Sequence, residues 1–158
     1  MRGIFLLLML TVVVSACNQE RVYHAYVDFE DRYWLTNKVP QFTFSIEDTT
    51  QRYNVFCNIR NSTRYPYSRI FIKSSLQDTL GNELQESLLN DFLFEEKTGK
   101  PLGKSGLGDL YDHQLPVLKN HKFTKAGAYR IRFEQFMRTD TLEGIISVGL
   151  GVDRVTKP

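Results

Sequence analysis

The residues best equipped for chemistry in this 158-residue chain crowd between Gly99 and His113. Four glycines and the tripeptide Gly103-Lys104-Ser105 suggest a phosphate cradle, in which backbone N–H groups and a lysine surround an anion. That cradle needs four residues between its first glycine and the Gly-Lys-Ser. Here Gly99 leaves only three, one of them Pro101, and no strand–turn–helix pattern surrounds them. The glycines are expected instead to supply positive φ in turns. Ser105 also fails as the nucleophile of a Gly-x-Ser-x-Gly elbow, because Leu107 stands at the last glycine position. His24, His113 and His121 are scattered, and their local context supports no Ser-His-Asp set.

Asp109-Leu110-Tyr111-Asp112-His113 gathers two carboxylates and an imidazole. On a strand, Asp109, Tyr111 and His113 share one face and Asp112 points away. Transition metals accept both donor types, but a site needs three or four ligands held by a surrounding shell, more than one short segment supplies. The expectation is therefore a polar strand edge or loop that serves as a contact surface, with no metal, no cofactor and no catalytic residue.

The remaining chemistry is that of aromatic rings. Tyr23, Tyr26, Tyr33, Trp34, Tyr65 and Tyr67 lie in the first half of the chain. Exposed rings stack on sugars, so carbohydrate binding is one reading, with Trp34 its first candidate. Aromatics at alternating positions belong to a core more often than to a platform. The segment Arg64-Tyr65-Pro66-Tyr67-Ser68-Arg69 differs, since Pro66 and the flanking arginines favour an exposed loop. Tyr and Arg are enriched at interface hot spots. Arg64, Tyr65, Tyr67, Arg69 and Trp34 are accordingly the candidate partner-contact residues.

The elements that must hold these residues are strands. Composition is globular, with 42% hydrophobic and 24% charged residues, and its length suits one domain. A net charge of +2 without a block of like charges argues against a nucleic-acid partner. Period-two alternation runs through Tyr23–Phe29, Phe42–Ile46, Tyr53–Arg60, Arg69–Leu76, Tyr129–Glu134 and Gly144–Val152. Residues 83–95 fit helix and strand spacing alike; the all-β surroundings favour a strand from Leu88 to Phe94. Gly149 and Gly151 on a polar face predict close backbone approach or a bulge. Eight or nine strands predict an antiparallel β-sandwich over residues 23–156, jelly-roll-like or immunoglobulin-like.

The N-terminus reads as an address. Arg2, an 11-residue apolar run from Ile4 to Val14 and the small residues Ser15-Ala16 describe a leader over residues 1–16. The run is too short for a membrane span, which needs roughly 20 residues. Val14-Ser15-Ala16-Cys17 looks like a lipobox, so Cys17 is expected to carry diacylglycerol, with residues 17–22 as the lipidated tether to a membrane. Cys57 is then the only free thiol, expected as a small buried hydrophobe. Asn18-Gln19-Glu20-Arg21 lacks the acidic cluster that resembles a surface-export tag, so a periplasm-facing position in the cell envelope is expected.

Phe123-Thr124-Lys125-Ala126-Gly127-Ala128-Tyr129-Arg130-Ile131-Arg132-Phe133-Glu134-Gln135-Phe136-Met137-Arg138 and Leu142-Glu143-Gly144-Ile145-Ile146-Ser147-Val148-Gly149-Leu150 carry a wider likeness. With Gly103–His113, Tyr33-Trp34 and the lipobox, the chain resembles the GldH family of gliding-motility lipoproteins from Bacteroidetes. The resemblance implies a non-enzymatic membrane lipoprotein that supports gliding and the associated type IX secretion apparatus. Its implied partners are proteins of that machinery. No functional residue carries over except Cys17 as the lipid site.

Overall fold

The computed structural model describes residues 21–155, so the leader and Cys17 lie outside the described residues. Eleven strands follow one another: β1 (Arg21–Asp28), β2 (Tyr33–Leu35), β3 (Gln41–Ile46), β4 (Tyr53–Ser62), β5 (Arg69–Asp78), β6 (Glu83–Phe92), β7 (Lys104–Ser105), β8 (Leu110–His121), β9 (Gly127–Gln135), β10 (Thr141–Glu143) and β11 (Ile145–Arg154). A single 3₁₀ turn, Glu30–Arg32, separates β1 from β2. Every pairing is antiparallel. One sheet runs β1-β11-β4-β8-β7, a second β3-β9-β5-β6, and a short ribbon joins β10 to β2. The sheets pack in the sandwich-like arrangement that the alternation predicts.

Inner and outer faces follow from the pleat. In β3, Phe42, Phe44 and Ile46 are buried while Gln41, Thr43 and Ser45 are exposed. In β4, Tyr53, Val55, Cys57 and Ile59 face Val152, Leu150 and Val148 of β11 through the register Val55↔Val152, Cys57↔Leu150 and Ile59↔Val148. Phe123, in the β8–β9 connection, wedges between the sheets. Its ring lies 5.7 Å from Tyr53, 4.7 Å from Tyr129 and 6.0 Å from Phe44. Cys57 is fully buried, and burial pushes its thiol pKa far up, so it acts as an apolar filler.

Three expectations change. β6 begins at Glu83 and ends at Phe92, so the strand reading holds over the helix but its span moves towards the N-terminus. β1 starts at Arg21, so Arg21 and Val22 belong to the sheet rather than to a tether reaching residue 22. Three of the eleven strands, β2, β7 and β10, have only two or three residues, too short for alternation to register.

Gly149 and Gly144 are required by close packing. A Cβ on Gly149 would fall 2.5 Å from the Tyr26 ring, which lies across it. Gly144 has φ +80°, and a Cβ there would collide with the Tyr65 backbone. Its N–H donates to the Arg32 carbonyl at 2.9 Å, and its carbonyl accepts from the Ser62 N–H at 2.8 Å. Gly144 thus knots β10 and β11 to the 3₁₀ turn and to the end of β4. Gly144→Ala is expected to cost about 2–5 kcal/mol, combining left-handed strain with overpacking. Gly81→Ala, at φ +85° with open space around it, should cost only about 1–2 kcal/mol. Urea unfolding midpoints of the two variants check the difference.

Candidate partner-contact surface

The Arg64–Arg69 loop is only partly the surface its composition suggests. Arg64 is exposed and pairs with Glu143 at 2.9 Å. Tyr67 is 44% exposed and meets Tyr65 edge-on at 5.8 Å. Tyr65, however, is only 4% exposed: its ring stacks on Phe94 and its hydroxyl donates to the Arg69 carbonyl at 2.9 Å. Burial, then the neighbouring Tyr67, push its pKa up, so it stays a neutral donor. Trp34 is wholly buried, stacks on Phe29 at 5.6 Å and donates its indole N–H to the Lys38 carbonyl at 2.8 Å. Tyr65 and Trp34 therefore leave the set of exposed contact residues. Long-range packing buries them, which Pro66 and local alternation do not reveal.

The chemical cluster of residues 99–113 is likewise accounted for by structure. Lys104 and Ser105 form β7, paired with Asp112 and Tyr111 on β8. Gly99 and Gly108 adopt φ +69° and +70° as turn glycines, but Gly103 has a different task. A Cβ on Gly103 would fall 2.5 Å from Nε2 of His113. Asp112 accepts two hydrogen bonds from Arg60, at 2.7 and 3.1 Å, and Asp109 pairs with Arg32 at 3.4 Å. Each such half-exposed pair contributes at most about 1 kcal/mol. Among the described residues no three His, Cys, Asp or Glu side chains converge as metal ligands.

Folding also assembles surfaces that linear sequence conceals. His24, Tyr26, Asn58, Asp112, His113 and Gln114 of the five-stranded sheet meet Asp91 and Phe92 of β6 around a mixed cleft of about 450 Å³. His24 and the Tyr26 hydroxyl are 3.0 Å apart, and burial, then Asp112, raise the Tyr26 pKa. A more apolar groove of about 690 Å³ runs beside the 3₁₀ turn, lined by Val27, Phe29, Tyr33, Leu35 and Pro40 with an acidic rim of Asp28, Glu30 and Asp31. Asp31 and Arg32 hold it in consecutive left-handed conformations, φ 59° and 60°.

The outer face of the four-stranded sheet has the most interface-like chemistry. The register Arg69↔Phe92 and Phe71↔Asn90 sets Arg69, Phe71 and Phe92 on that face. The Arg69 guanidinium lies 4.1 Å from the Phe92 ring centroid and 5.8 Å from that of Phe71. Phe136, whose N–H donates to the Phe71 carbonyl, adds a 59% exposed ring. Of these four, sequence reasoning found only Arg69. The signal it passed over is that Phe71 and Phe92 fall out of phase with the buried Ile70, Ile72 and Leu89.

Comparison with known proteins is decisive about kinship. The profile of the GldH lipoprotein family matches residues 21–152, from the first residue of β1 almost to the end of β11. The chain belongs to the GldH lipoprotein family. Two GldH relatives align end to end. A "Gliding motility lipoprotein GldH homolog" from Christiangramia forsetii is 28% identical, over 96% of this chain and 95% of its own length. The "Gliding motility lipoprotein GldH" of Flavobacterium johnsoniae is 24% identical, over 94% of both chains. The GldH resemblance in residues 123–150 thus extends across the whole sandwich.

The cleft histidine gives this GldH-family sandwich a pH signature. Burial lowers the His113 pKa, outweighing Asp91 and Asp112, which raise it; burial also lowers that of His121. The unfolded chain therefore binds protons first. Stability should be complete above about pH 6.5 and fall as the pH drops below that value, until the folded-state pKa values are passed. Urea unfolding at pH 7.5 and 5.5 should show this loss. His113→Gln should reduce the difference, leaving the part that His121 contributes, and an unchanged slope in that variant would contradict the assignment.

Proposed function

We propose that this protein is a lipid-anchored, non-enzymatic envelope lipoprotein that supports gliding motility and type IX secretion-linked machinery through protein–protein contacts. The end-to-end likeness to two gliding motility lipoproteins carries this reading. The layout of the surface supports it. Asp109 and Asp112 are ion-paired, His113 packs against Gly103 and Cys57 is buried, whereas Tyr67, Phe136, Phe92 and Arg69 offer contact chemistry at the surface. The anchor is a diacylglycerol on Cys17, four residues before β1, and it faces the sandwich into the periplasm. Two or more acyl chains hold a protein stably at a bilayer, at about 0.8 kcal/mol per buried CH₂. The carbohydrate reading rested on an exposed Trp34, and that ring belongs to the core.

Mass spectrometry of the native protein is expected to find the chain beginning at a diacylated Cys17. Cys17→Ser should leave the membrane fraction and fail to support motility. Crosslinking in intact cells should join the anchored protein to other envelope proteins. An unmodified Cys17 on membrane-bound, active protein would contradict the anchor, and recovery of the monomer alone would contradict the contact role.

A further inference from the structure

β6 is the free edge of the four-stranded sheet and pairs only with β5. On an antiparallel edge, every second residue turns its N–H and C=O away from the sheet. Folded proteins cover or disrupt long edges with proline, lysine, bulges or overlying elements. β6 spans ten residues without proline or lysine, its ladder to β5 shifts register only between Gln85 and Glu83, and Leu89 alone among its residues is buried. Its Asp91–Phe92 end borders the cleft beside Gly103 and His113, which leaves Glu83–Asn90 open. Leu84 and Leu88 are 51% and 49% exposed; Leu88, opposite Lys73, shares the outer face with Phe92, and Leu84 is the unpaired residue at the register shift between Gln85 and Glu83. That apolar stripe continues into Phe71 and Phe136.

Charge says what fits there. Asp78 to Glu96 contains six carboxylates and no Lys, Arg or His. Glu86 reaches Lys73 at 2.9 Å, while Glu83 accepts only from the Ser75 hydroxyl at 3.2 Å. A second copy pairing through the same edge would set carboxylates against carboxylates, which opposes self-association. Cationic residues on an incoming strand would instead meet the carboxylates of Glu83 and Glu86.

We propose that β6 is the docking edge for an extended, Lys/Arg-rich segment of a partner protein, which adds to the sheet as a fifth strand. The main chain of that segment bonds to the free groups of Glu83–Asn90. Its outward apolar side chains pack on Leu84 and Leu88, and its cations face Glu83 and Glu86. The proposal rests on the contact role above and gives it a place and a partner chemistry.

A photocrosslinking amino acid placed at Leu84 or Leu88 of the full-length protein in cells tests this, with Thr43 on the opposite edge strand as control. Crosslinked peptides sequenced by mass spectrometry should be cationic segments of another protein, recovered about fivefold or more above the control, as selective docking requires. Glu83→Lys with Glu86→Lys should lower the yield by about fivefold through loss of two cross-strand charge pairs, with membrane association unchanged; Lys73→Gln, which breaks the Glu86 ion pair but keeps the acidic edge, should leave the yield unchanged. Crosslinks to a second copy or to an uncharged or acidic segment would overturn the proposal. So would equal yield at Thr43, no yield at Leu84 and Leu88, or indifference to charge reversal. Crosslinks arising instead from Val27 or Tyr67 would defeat the edge assignment but keep the contact role. Silence at every surface position would defeat both.

Discussion

Everything in this molecule depends on two sheets pressed together by apolar burial alone. Cys57 is a free thiol inside the core, and no disulfide joins the sheets among the described residues. Phe123 bridges them, touching Tyr53 of one sheet and Phe44 and Tyr129 of the other, while Tyr23 approaches Phe44 at 6.4 Å. Each fully buried large apolar side chain contributes about 1.5–3 kcal/mol. That supply must offset the conformational entropy of the ordered chain. The core therefore takes up Trp34 and eight Phe and Tyr rings. This is why Trp34 and Tyr65 are withdrawn from the surface, which keeps Tyr26, Tyr33, Tyr67 and Phe136 as its exposed rings.

The same rings also organise the loops. Trp34 donates to the carbonyl of Lys38, Tyr53 to Asp48, Tyr65 to Arg69 and Tyr129 to Lys125, at 2.7–2.9 Å. In every case a buried ring anchors a backbone carbonyl four or five residues away. Tyr and Trp suit this because an apolar body ends in a donor that needs a partner when buried. The loops are thus pinned from within, and the outer surface is left as a stable display of edges, charges and a few exposed rings.

Legibility in the sequence followed the physics of burial. Phe42–Ile46 and Tyr129–Glu134 alternate because one face meets the core and the other is turned outward, and there sequence and structure agree, whereas Tyr53–Ser62 is covered on both faces. β6 printed no such pattern, since both its faces are largely solvated, and its start was missed by five residues. β8, with Pro116, Lys119 and Asn120 along its length, was read only through its first residues. The glycine expectation held at Gly149, where Tyr26 lies on the bare backbone. Burial of Trp34 and Tyr65 depends on Phe29, Phe94 and Gly144, the latter two remote in sequence. The Arg69–Phe71–Phe92–Phe136 patch depends on cross-strand register and was equally invisible locally.

The central claim is that a sandwich held by its core alone leaves the β6 edge unoccupied until a partner arrives. Amide hydrogen exchange, comparing purified protein with protein in native membranes, tests it most directly. The account predicts that amides of β4 and β11 exchange only through global unfolding in both samples. Amides of residues 83–90 that face away from β5 should exchange fast in the purified protein and slow down in the membranes. Strong protection of that edge in the isolated monomer, or exchange of β4 and β11 by local opening, would contradict it.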